Sequence, residues 1–77
     1  MDRSTELRRL AEADRHISDA ERAVGHQMIE IERLREGGHS TALAEETLEI
    51  FQRTLGEMQE HRRIIVRTIE EIDAGLI

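Results

Sequence analysis

Apolar residues recur along this chain with a seven-residue period, in two blocks, and the period predicts helix in both. In the first block Leu10, Ile17, Val24 and Ile31 stand seven apart, and Ala13, Ala20, Gln27 and Leu34 follow each by three. In the second, Leu48, Leu55, Arg62, Ile69 and Leu76 form one series; Ala44, Phe51, Met58, Ile65 and Ile72 form the other. Alternating steps of three and four place each set on one stripe of an α-helix, the a and d positions of a heptad. The blocks are separated by Glu36-Gly37-Gly38-His39-Ser40-Thr41. Glycine reaches positive φ without a side-chain clash, so Gly37 and Gly38 mark a helix end. Ser40 or Thr41 is expected to cap the next helix through its hydroxyl, and His39 to assist. The first arm is capped by Ser4 or Asp2, with Glu6 in the first turn where the helix dipole favours an acid. The expected organisation is a single domain over residues 1–77, with helices over about 3–36 and 41–74 and a turn over 37–40.

The two stripes test whether the arms fold back on each other. In an antiparallel pair each a layer faces a d layer, so facing residue numbers have a constant sum. A sum of 75 meets this condition throughout: Ile31 faces Ala44, Gln27 faces Leu48, and Val24 faces Phe51. It continues with Ala20 against Leu55, Ile17 against Met58, Ala13 against Arg62 and Leu10 against Ile65. Half of 75 falls between Gly37 and Gly38, so the heptad register and the turn residues agree independently. The fold class is therefore all-α, an antiparallel two-helix hairpin resembling a coiled coil. Its expected core is Leu10, Ile17, Ala20, Val24, Ile31, Leu34, Leu48, Phe51, Leu55, Met58, Ile65 and Ile69. Gln27 is the polar seam residue that fixes register. Arg62 lines the seam with its stem and is expected to reach Asp14 with its guanidinium.

Further apolar residues lie off the seam. Leu43, Ile50 and Ile64 fall on position c of the second arm, beside Thr47, Thr54, His61 and Thr68 on position g. Leu7, Met28 and Val66 add apolar area on the opposite flank. A lone hairpin leaves these groups in water, and burying each contributes about 1.5–3 kcal/mol. Chains of 77 residues also bury little surface alone. A homodimer forming a four-helix bundle is the expectation, with Leu43, Ile50, Thr54, Ile64 and Val66 at the interface. Ser4, Ala11, Ser18 and Gly25 form a stripe of small residues beside the first seam. Gly25 is either tolerated mid-helix, at about 1 kcal/mol relative to alanine, or marks a close neighbour.

Composition narrows the function classes. Net charge is −6, from 17 acidic and 11 basic residues, which disfavours a sequence-independent grip on nucleic-acid phosphates. There is no proline to break a helix, and no cysteine for a disulfide, a thiolate metal site or a thiol nucleophile. Ile64-Ile65-Val66 is the longest apolar run, far short of a membrane span, and the polar start lacks a signal-peptide core. A cytoplasmic setting is the expectation, with no membrane or nucleic-acid partner.

Candidate chemistry is sparse. His16 and His61 both occupy g, nearly level in the sum-of-75 register, with Glu12 and Glu57 four residues before them. Zinc or di-iron sites in bundles are built from such groups. The Glu-x-x-His spacing of a di-iron site is absent from the core-facing positions, however, and its one occurrence, Glu36 to His39, lies in the turn. No metal or other cofactor is therefore expected. The serines have no convergent histidine and acid, and no catalytic residue is assigned.

Ala13-Asp14-Arg15-His16-Ile17, together with Gly38-His39-Ser40-Thr41-Ala42 followed by Ala44, Leu48 and Phe51, resembles a group of short uncharacterised alphaproteobacterial proteins. In these a Gly-His-(Asp/Ser)-Thr turn joins two amphipathic helices. The resemblance implies the same hairpin in a bacterial cytoplasm, and it carries over no activity. The function expected is a small structural or protein-interaction module, self-associating and not an enzyme. One alternative is an acidic inhibitor or regulator that occupies a basic, nucleic-acid-binding surface of a larger protein. Another is a metal-binding helical bundle.

Overall fold

The computed structural model describes residues 2–77. Two helices account for nearly all of them: α1, Arg3–Glu36, and α2, Ala42–Asp73. They pack antiparallel as a hairpin of 59 × 15 × 12 Å. The second helix is a residue shorter at each end than its sequence pattern suggests. A compact 77-residue domain has a radius of gyration of about 11–12 Å; this rod has 17.5 Å. Its thinnest dimension is roughly one helix diameter, so most seam residues keep some contact with solvent.

Burial follows from that shape. Ala13, Ile31, Ile65 and Ile69 are the only buried hydrophobic residues among those described, and no large side chain is fully enclosed. The other expected core residues are half-buried. Ala13, Ile65 and Ile69 form one cluster with Leu10 packed against it, which keeps Leu10 level with Ile65 as the register requires. Gln27 donates its side-chain amide to the Ala44 carbonyl at 2.9 Å, tying α1 to the backbone of α2. A polar seam residue with its partner satisfied fixes register without the cost of an unpaired buried amide.

The turn is a Schellman motif. Gly38 takes φ 74°, the His39 N–H donates to Leu34 O at 2.9 Å, and the Gly38 N–H donates to Arg35 O at 3.1 Å. Gly37 stays right-handed, so of the two glycines only Gly38 uses the left-handed region. The ring of His39 lies over Gly37, where a Cβ would come within 2.9 Å of its Cδ2. An unforeseen copy of the motif closes α2: Gly75 has φ 75°, and the Leu76 N–H donates to Glu71 O at 2.9 Å.

Capping differs between the helices. Asp2 caps α1, accepting from the Ser4 N–H at 3.1 Å and the Thr5 hydroxyl at 2.8 Å. These hydrogen bonds, Thr5 first and Ser4 second, hold the Asp2 carboxyl below its ordinary pKa. Thr41, expected as a hydroxyl cap, makes no side-chain cap bond. Its backbone, at φ −104° and ψ 2°, is not extended as the motif requires, whereas Asp2 at φ −96° and ψ 118° is. Ser40 offers only a 3.4 Å acceptor to the Ala42 N–H.

Candidate interaction surface

Two flanks border the seam, and their residues differ in kind. Along the flank carrying the e positions, three ion pairs join the helices. Arg3 Nε donates to Asp73 at 2.7 Å, Arg62 Nε donates to Asp14 at 2.6 Å, and Arg35 approaches Glu45 at 3.7 Å. The bond to Asp73, with that carboxylate's charge beside it, raises the Arg3 pKa further. The Arg62–Asp14 pair is the one anticipated from the heptad pattern. Val66, also on this flank, is half-buried, whereas Leu7 and Met28 on the same flank are exposed.

No ion pair joins the helices along the g flank, among the described residues. Instead a groove of about 410 Å³ opens there, larger than one side chain fills. Ala20 and Ala23 on α1 leave the space; Ile50, Phe51, Thr54 and Met58 on α2 line it. Asp19 and His16 stand at its rim. Further from the turn it continues past Ala13, Glu57 and His61, then past Arg9 and Glu12. Thr47 and Thr68, on the same flank, donate their hydroxyls to the Leu43 and Ile64 carbonyls of their own helix.

The expected interface residues on this side are exposed. Leu43 is 76% accessible, Ile64 56% and Ile50 54%, and Thr54 is exposed as well. A compact monomer of 8.9 kDa exposes about 4,800 Å²; this chain exposes 5680 Å². The excess, about 900 Å², is close to what each partner contributes to a standard protein–protein interface.

The candidate metal ligands meet only in part. His16 and His61 border the same stretch of groove, with Glu12 and Glu57 nearby. No three His, Asp or Glu side chains among the described residues are grouped to hold a metal ion. No helix among these residues is long and apolar enough to cross a membrane.

Several features escaped the sequence pattern. Glu6 is 4% accessible and pairs with Arg9 at 2.9 Å. It occupies the d position one heptad before Ala13, facing Ile69 in the sum-of-75 register, so it belongs to the seam as well as to the first turn. Ala23 helps make the groove, and its signal is a second alanine three residues after Ala20. Ile29 is exposed on the back of α1. An added Cβ at Gly25 meets nothing within 4 Å, so no close neighbour within the hairpin accounts for that glycine.

Comparison with family models, with curated proteins and with solved structures gave no match in any of the three.

Proposed function

We propose that this hairpin is a non-catalytic interaction module whose primary partner is a second copy of itself. The two copies pair through the groove flank into a four-helix bundle. The excess accessible area, together with exposed Leu43, Ile50 and Ile64 beside an apolar groove, carries this reading. Exposed apolar surface of this extent favours association, and covering it supplies the second layer that a single seam lacks.

The acidic-inhibitor reading has less support. Arginines are spent locally on acids three residues away, as in Arg22 with Asp19, Arg35 with Glu32, and Arg63 with Glu60. Such interleaving breaks up a continuous negative face of the kind that would mimic nucleic acid.

Light scattering across a concentration series, beside a circular dichroism spectrum, tests the proposal. The expected result is a strongly helical species of twice the chain mass. A helical monomer at every concentration would sink it.

A further inference from the structure

On the reading that two copies pair through the groove flank, we infer the direction of pairing. The hairpins lie with their turns at opposite ends, α1 on the partner's α1 and α2 on the partner's α2. A twofold axis within the interface has two choices. Set along the rod, it stacks α1 on the partner's α2 with both turns at one end. Set across the rod, it stacks each helix on its own copy, running the opposite way.

Groove position permits the crosswise axis. Ala20 and Ala23 lie near the middle of Arg3–Glu36, and Ile50 to Met58 lie in the central part of Ala42–Asp73. An axis across the rod at that level lays groove on groove. Outward-facing c positions of α2 then meet where their numbers sum to 107. Leu43 meets the partner's Ile64, and Ile50 lies over the stem of the partner's Glu57. On α1 the c positions meet at a sum of 45. Glu12 then meets the partner's Arg33, and Asp19 meets the partner's His26. The half-sums, 53.5 and 22.5, mark the same level of the hairpin, where c positions of the two helices add to 76. One axis therefore serves both helices, and each contact occurs twice.

Charge decides against the lengthwise axis. It sets c positions of α1 against c positions of the partner's α2 at that sum of 76. Asp19 would face the partner's Glu57, Glu12 the partner's Ile64, and Arg33 the partner's Leu43. One contact is like-charged and two press a charge onto an apolar side chain, both penalised at an interface; the crosswise axis has one contact of the second kind, Ile50 with the partner's Glu57, and none of the first. Within one hairpin, Glu12, His26 and Arg33 make no ion pair among the described residues.

The absence of cysteine makes a direct test simple. Ser40→Cys places one nitroxide label beside the turn, at an exposed position. Pulsed dipolar spectroscopy should then give a distance of about 40 Å between copies, from about 12 residues of α2 rise plus the turn on each side of the axis. A distance of about 10–20 Å, the thickness of the bundle, would overturn the direction while keeping the pairing. No dipolar signal, with only monomer by light scattering, would overturn both. As a second readout, Arg33→Glu and Glu12→Arg should each weaken the dimer by about tenfold. The double variant should recover the lost affinity, and failure to recover it overturns the direction.

Discussion

The two flanks of this hairpin are built from the same pair of helices, yet different chemistry crosses them. Arg3–Asp73, Asp14–Arg62 and Arg35–Glu45 span the e flank, each with both side chains substantially exposed. Exposed pairs contribute about 0–1 kcal/mol each; their value lies in discriminating register, and they coexist with water. The g flank has no ion pair between the helices; small and apolar groups line most of an open groove, with Asp19 and His16 at its rim and Ile50 and Ile64 more than half accessible. The hairpin thus spans one flank with its own ion pairs and leaves an open groove along the other.

Substitution on each flank should show that difference most visibly. Ile64→Glu places a charge on the groove flank in both copies of the proposed dimer. Removing two buried isoleucines weakens association by roughly 3–6 kcal/mol, at least a hundredfold in Kd. Helix content should stay near its original level, because Ile64 is exposed in the single hairpin. Leu7→Glu, on the ion-paired flank, should leave the mass unchanged. Equal effects on mass from the two variants would erase the distinction between the flanks.

A smaller effect concerns the acid inside the seam. Glu6 is buried with a partner, Arg9, that is itself exposed. Replacing a buried ion with a well-packed apolar side chain is often neutral or stabilising. Glu6→Leu should raise stability by about 1–2 kcal/mol in chemical denaturation, without altering the mass. A loss of stability instead would mean that Glu6 holds the open end of the hairpin in place.

What the sequence reveals here follows from which signals are periodic. The hairpin was legible because Leu10 to Leu34 and Ala44 to Ile72 carry an unbroken heptad, and Gly38 sits where the register turns back. Arg62 reaching Asp14 was legible too, since an arginine on a seam must extend to water. Glu6 was read only as a first-turn acid because the apolar series begins later, at Leu10, although the d stripe runs back through it. The choice between Ser40 and Thr41 as cap stayed open because capping depends on backbone angles set by the turn, and residue type does not report those. The groove was hidden for a third reason: it depends on two alanines at neighbouring heptad positions, and hydrophobic periodicity records apolar character without recording volume.

Removing a bridge from the closed flank should cost little. Arg62→Ala loses the pair with Asp14 and should destabilise the hairpin by about 0.2–1 kcal/mol. Molar salt should reproduce much of the loss in the parent protein and add little in the variant. A loss well above 1 kcal/mol would assign Arg62 a packing role along the seam through its aliphatic stem.

The smallest expected effect lies at the start of α1, outside both flanks, and it separates electrostatics from capping geometry. The Asp2 carboxyl is held below its ordinary pKa by hydrogen bonds from Thr5 and Ser4. A carboxyl whose folded pKa lies below its unfolded value stabilises the fold above the unfolded value and loses that contribution as pH falls through the folded one. Asp2 should therefore support the first turn fully at neutral pH and release it only in acid. Amide exchange at Ser4 and Thr5 is the sensitive readout, since fraying there leaves the Ala13–Ile65–Ile69 cluster intact. Asp2→Asn keeps a capping oxygen and should hold the turn closed with no acid transition of its own. Asp2→Ala should open it at every pH. If the Asn variant still frays with the parent's pH dependence, the titrating group is not Asp2.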